Sequence, residues 1–268
     1  MKETLLTSSP WGFRERPVAD FCRWLKEHEL QYICGHFGNF PGAVNFSLDD
    51  RELDKVNAEV NSFGLQYASF NADGDFMMEK AVDDQVALCC RMIDRAVKFQ
   101  PKVIIVFAGW QDRKDQSVYG QVSDCLKQVA RHAARYHLTV ALENHGGLTA
   151  SAEQINRILD AVNEPNIGIN YDPANFLMYG EDPLKSLLNL KHPLVFTHFK
   201  SVKRMNGKEV YCRLKEGEID YLPILEILKK EYRGFYAIEY EETSDVMSGS
   251  EDDLNSLKNL LDKVGHHV

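Results

Sequence analysis

Four apolar runs in the second half of the chain end on a side chain that can hold a metal ion or move a proton. The runs 138–143, 166–172, 194–198 and 235–239 close on Glu143, Asp172, His198 and Glu239, with spacings of 29, 26 and 41 residues. A run without charge until its end reads as a strand buried on both faces, as in a parallel sheet. Holding a carboxylate or an imidazole at such a tip costs solvation free energy, so packing alone is a poor reason for it. Taken singly, each has a structural alternative: a salt bridge for either glutamate, a turn or cap for Asp172 before its proline, a satisfied core position for His198. Four in the same place point elsewhere. Three carboxylates and one imidazole brought to one point repel unless a cation neutralises them. The oxygen-rich set suits Mn²⁺, Mg²⁺ or Co²⁺ better than structural Zn²⁺. A cation on a ketone oxygen stabilises the enediolate formed when the neighbouring C–H is lost, and a positioned carboxylate or imidazole takes that proton.

Such residues converge only if the strands that carry them share one end of one sheet. Strand-like and helix-like segments alternate throughout. Strands are expected at 3–8, 30–34, 65–70 and 102–108, then at the four charged-tip runs. Helices are expected at 17–28, 47–63 with Ser47 as cap, 79–99, 118–136, 152–161, 183–190, 221–232 and 251–264. Eight strand–helix pairs in this length imply an α/β fold, a (β/α)₈ TIM barrel spanning 1–268 as one catalytic domain, with its chemistry at the strand C-termini. The stretch 203–220 is longer than an ordinary βα loop and is expected to build a pocket wall or lid.

The chain of 268 residues carries a formal net charge of −9, which argues against nucleic acid or an anionic membrane as partner. Its six cysteines lack metal-type spacing and read as buried free thiols. Residues 1–7 lack the apolar core of a signal peptide, and no run approaches the ~18 apolar residues of a membrane span, so a cytoplasmic protein is expected.

The motifs Leu-Glu-Asn-His-Gly-Gly at 142–147, Asn-Tyr-Asp-Pro-Ala-Asn at 170–175, His-Phe-Lys at 198–200 and Ile-Glu at 238–239 resemble the sugar phosphate isomerase/epimerase group of xylose-isomerase-like TIM barrels. The resemblance covers nearly the whole chain. It implies one divalent metal, Mn²⁺ first with Mg²⁺ or Co²⁺ as alternatives, on Glu143, Asp172, His198 and Glu239. It also implies a ketose held by its carbonyl and a neighbouring hydroxyl, with Glu143 and Glu239 shuttling the proton. Three positions depart from the pattern: Asn175 replaces a substrate-binding histidine, Thr149 a glutamate, and Ser201 an acidic residue. The first two, at Asn175 and Thr149, count against a simple free-ketose epimerase.

His145, two residues past Glu143, supplies a base outside the ligand set, or else shapes the turn at Gly146 and Gly147. A base of that kind suits elimination or decarboxylation. The favoured reading is a lyase on a 3-oxo-glycoside, resembling C-glycoside deglycosidase catalytic subunits, or on a 3-oxo sugar acid. The alternatives are a ketose isomerase or epimerase with Glu143 and Glu239 as paired bases, and a non-catalytic sugar-binding or scaffold subunit. An apurinic-site endonuclease would need about three metals and a basic groove, and the extra ligands for it are missing. Substrate contacts are expected from Asn175, Lys200, Trp110, Asn71 and His36, with Phe37 nearby and Arg204 for a hydroxyl or phosphate; each has ordinary rim packing as its alternative. The expected partners are a small sugar and either a second copy of the chain or a smaller second subunit.

Overall fold

The computed structural model describes residues 5–111, 113 and 115–266. Its strands are β1 (Leu5–Ser8), β2 (Tyr32–His36), β3 (Gln66–Asn71), β4 (Val103–Val106), β5 (Thr139–Glu143), β6 (Ile167–Tyr171), β7 (Leu194–Phe199), β8 (Ser201–Met205), β9 (Lys208–Cys212) and β10 (Phe235–Ile238). The start expected for β1, from residue 3, lies outside the described residues. Eight strands form one sheet in the order β1-β10-β7-β6-β5-β4-β3-β2, parallel in every pairing described. The α-helices are α1 (Val18–Glu27), α2 (Asp50–Ser62), α3 (Val82–Ala96), α4 (Gln116–Ala134), α5 (Ala152–Val162), α6 (Pro173–Met178), α7 (Pro183–Asn189), α8 (Tyr221–Glu231) and α9 (Val246–Lys263). This is the (β/α)₈ TIM-barrel class that the alternation implies.

The strands are apolar because they are covered on both faces. All four residues of β4 are buried, at about 1.5–3 kcal/mol for each large aliphatic side chain removed from water. Two compact units divide the contacts: Met1–Ala68 with Thr197–Val268, and Ser69–Phe196, the divisions falling inside β3 and β7.

In the first unit, α1 buries Phe21, Cys22, Trp24 and Leu25, and the Phe13 ring packs 4.5 Å from Phe21. The cap of α2 is Asp49 rather than the expected Ser47. Asp49 Oδ1 accepts from Glu52 N at 2.8 Å while Asp49 N donates to Glu52 Oε2 at 2.8 Å, a reciprocal box that a serine two residues earlier is out of register to make. The stretch expected as a loop at 203–220 contains the antiparallel hairpin β8–β9, paired from Ser201–Cys212 to Met205–Lys208. Asn206 and Gly207 turn it with φ of 52° and 78°, the left-handed pair that a two-residue hairpin needs. Its base is tied to α9, where Leu214 N donates to Asp253 Oδ1 at 2.7 Å and Arg213 pairs with Asp245 and Asp252.

In the second unit, β6 runs against the stretch entering β7. A Cβ on Gly168 would stand 2.5 Å from the Pro193 carbonyl oxygen and 2.7 Å from Val195 Cγ1. Only glycine permits that approach. α5 starts on a capping box between Ser151 and Gln154. The six cysteines are free thiols, five of them buried. Among the described residues no helix is long and apolar enough to cross a membrane.

Candidate metal centre

Glu143 is the last residue of β5 and is buried. Its ladder partner on β6 is Asn170, whose Nδ2 donates to Glu143 Oε2 at 2.7 Å, and Asn175 Nδ2 donates to Oε1 at 3.2 Å. The adjoining pair is locked through the main chain: Asn144 Nδ2 donates to Asp172 O and Asp172 N donates to Asn144 Oδ1, both at 2.7 Å. Asp172 is at once the end of the β6 run and the N-cap of α6, its Oδ1 accepting from Asn175 N at 3.1 Å. Aspartate at the cap and Pro173 at the first helical position start this short helix, which pattern reading had missed. The second oxygen, Oδ2, is fully buried.

His198 stands in register with Ala237 of β10, and Glu239 is the first residue past that strand. Glu239 N donates to Phe199 O at 2.9 Å, which extends the strand pairing as far as the carboxylate. Ser9 Oγ donates to its Oε1 at 2.7 Å and Lys200 Nζ to its Oε2 at 2.8 Å, with His198 Nδ1 at 3.5 Å from the same oxygen. Lys200 is buried, and its ammonium also meets Glu241 Oε1 at 3.0 Å and lies 5.7 Å from the Tyr211 ring centroid. Burial pushes the Glu239 carboxyl up, but His198, Lys200 and the hydrogen bonds from Lys200 and Ser9 outweigh it and hold the group well below the usual carboxylate range.

One ligand atom from each of Glu143, Asp172, His198 and Glu239 lies within 4.8 Å of the other three, and all four side chains are buried. Such a donor set fits a divalent cation. Two or three ionised carboxylates held this close and out of water need positive charge, and Lys200 is already divided between Glu239 and Glu241. Three oxygen donors and one imidazole suit Mn²⁺, Mg²⁺ or Co²⁺.

The remaining expected residues divide. Lys200 and Asn175 make protein contacts at this group, one on Glu239 and the other on Glu143. β5 stops at Glu143, so His145 does not continue the strand; its N donates to Thr149 Oγ1 at 3.0 Å, and Gly146 and Gly147 turn with φ of 82° and 54°. His145 is exposed, with its ring edge-to-face against Phe107 at 5.2 Å and Trp110 at 5.5 Å. Trp110 is 51% exposed. Asn71 ends β3, and His36 ends β2 against Trp11 and Phe40. Arg204 is taken up by Glu209 at 2.7 Å on the hairpin. Sequence reasoning missed Ser9, Asn144, Asn170 and Glu241. The signal for the asparagines was available, since an amide inside an apolar run demands a partner.

A family model described as xylose isomerase-like TIM barrel matches residues 12–260. The chain is 24% identical to the inosose dehydratase of Lactiplantibacillus plantarum over 237 residues, 76% of this chain and 75% of that protein. A D-tagatose 3-epimerase-like protein superposes with a TM-score of 0.78 at 18% identity, covering 98% of each chain. A xylose isomerase-like TIM-barrel protein from Mycobacterium smegmatis, solved in complex with magnesium, gives 0.79 at 15% identity, covering 98% of this chain and 100% of that one.

Proposed function

The chain belongs to the xylose isomerase-like TIM-barrel family, and from that premise we propose that it is a lyase acting on a keto-sugar, dependent on one divalent cation. The substrate class is a 3-oxo-glycoside or a 3-oxo sugar acid. The reaction removes a proton beside the carbonyl and expels the substituent on the next carbon, which leaves with its bonding electrons. The carrying observation is the buried group of Glu143, Asp172, His198 and Glu239 with ligand atoms within 4.8 Å. Mn²⁺ is the first choice, with Mg²⁺ or Co²⁺ as alternatives; magnesium is present in one solved relative. The bound cation would hold the carbonyl oxygen and stabilise the negative charge that develops there.

The protein's own groups decide the rest. Both oxygens of Glu143 accept from asparagine amides, and both oxygens of Glu239 accept from Ser9 or Lys200. Carboxylates so engaged are oriented to face the cation. Among the described residues His145 makes no side-chain hydrogen bond or ion pair, so its imidazole is the base assigned to the proton. A relative named as a dehydratase supports elimination. The competing reading, an isomerase or epimerase with Glu143 and Glu239 as paired bases, has the likeness to a D-tagatose 3-epimerase-like protein in its favour. The reading takes the chain as one catalytic domain, in keeping with a family match running from residue 12 to 260.

The test uses metal-stripped protein reloaded with Mn²⁺ and incubated in D₂O with keto-sugars and 3-oxo-glycosides, the quenched mixtures being read by NMR after removal of the metal. Release of an aglycone or water, lost in His145→Ala with metal binding intact, supports the lyase. Deuterium entering recovered or epimerised sugar, with His145→Ala still active, establishes the epimerase instead. Failure to bind any divalent cation removes the basis of both.

A further inference from the structure

Trp110 is half exposed, yet its ring is fixed edge-on to His145, so packing is a weak account of where it stands. Its main chain supplies a better one. Asp75, beyond the end of β3, is 8% exposed, and its carboxylate spans two loops. Oδ1 accepts from Met77 N at 3.2 Å and Trp110 N at 3.1 Å, and Oδ2 accepts from the Gln111 side-chain amide at 2.6 Å. Asp75 is itself held by Gln85 Oε1, which accepts from its N–H at 3.2 Å. Between the loops stands Gly109 with φ of 139°; a Cβ there would meet Asp75 Oδ1 at 2.3 Å and Met77 N at 2.9 Å. The chain has given up a side chain at 109 to let the carboxylate reach 110 and 111.

The rings carry the consequence. Trp110 packs 4.8 Å from Phe107, and both stand near-perpendicular to His145, at 89° and 77°. Edge-to-face pairs of this kind are directional. The terminal torsion of a histidine has broad wells, and His145 has no side-chain hydrogen bond among the described residues to select one. The two rings are what select it.

We propose that Asp75 is a positioning residue that aims the His145 imidazole by fixing Trp110 through the loop 109–111. The proposal rests on His145 being the base of the reading above. The bland alternative is that Asp75 merely satisfies loop amides, with no effect on His145.

The experiment reads the His145 ring signals by NMR in the isotopically labelled full chain with Mg²⁺ present, assigned by their loss in His145→Ala. Phe107 and Trp110 displace those signals by ring current, and the displacement does not depend on catalysis. Gln111→Ala, which deletes one hydrogen bond from an exposed loop side chain, is expected to lose part of the displacement, and Asp75→Ala, which also deletes the acceptor of the Met77 and Trp110 N–H groups, most of it. Asp75→Asn combined with Gln111→Glu restores an amide-to-carboxylate bond with the partners exchanged, and is expected to restore the signals. With a substrate in hand, Asp75→Ala lowers kcat about 10–100-fold with little change in KM, and adds nothing further in a His145→Ala background. Unmoved His145 signals in folded Gln111→Ala and Asp75→Ala overturn the positioning role. Full turnover by His145→Ala overturns the base assignment instead, so the two failures read differently.

Discussion

Asp172 serves two structures at once, capping α6 with Oδ1 and offering a charge to the metal group. Asparagine caps a helix as well as aspartate does but brings no charge. Asp172→Asn is therefore expected to keep its unfolding midpoint in metal-free protein within about 1 kcal/mol of wild type while losing Mn²⁺ affinity at least ~100-fold by calorimetry, since even outer-shell changes cost 10–100-fold. Equal loss of stability and affinity would mean that the cap, not the charge, is what matters. Lys200 is the converse case. Lys200→Met leaves buried Glu239 and half-buried Glu241 without their shared cation, a loss of roughly 3–5 kcal/mol in denaturant melts of stripped protein. Loading with Mn²⁺ should return part of it. The four clustered side chains, Glu143, Asp172, His198 and Glu239, were legible as a group because each ends an apolar run. Ser9 and Glu241 were not, because what they do is set by partners up to 230 residues away, as for Ser9 and Glu239.

At the scale of elements, alternating apolar patterns marked the eight strands, but two features followed chemistry that hydrophobic patterning does not weigh. The hairpin β8–β9 carries Asn206–Gly207 between strands with exposed faces, so no apolar run advertised it; the dipeptide itself was the signal. The helix α6 is six residues long, too short for a 3.6-residue period to show, and only Asp172–Pro173 marked it. Close backbone approach is equally silent in patterning. Gly168 reads as a defect in a strand, whereas its missing Cβ is what lets the 193–195 backbone pack against β6. Gly168→Ala is expected to cost about 1–3 kcal/mol in guanidinium unfolding with an unchanged slope, because the nearest obstruction is a carbonyl that cannot rotate away. A neutral result would show that β6 and β7 can part without penalty.

For the molecule as a whole, burial of ionisable groups ties stability to pH, and α9 holds a case outside the metal group. Asp253 is fully buried; Oδ1 accepts from Leu214 N, and Oδ2 has no hydrogen-bond partner among the described residues. Burial pushes its pKa from 3.8 up to about 7, against the Leu214 N–H and the charges of Arg213 and Lys215, with Glu216 adding to the rise. Native protein therefore holds a proton that the unfolded chain has released between about pH 4 and pH 7. Stability falls as pH rises through that window, and the full cost persists above it. Asp253→Asn removes the charge while Oδ1 can still accept from Leu214 N. The variant should match wild type near pH 4 and exceed it at pH 8 by on the order of 4 kcal/mol, with a flatter profile in urea melts across the window. A profile as steep as wild type would mean that Asp253 is ionised throughout, held by Arg213 and Lys215. The base of the hairpin would then be fastened by an ion pair, and the same substitution would weaken the protein at pH 8 instead of strengthening it.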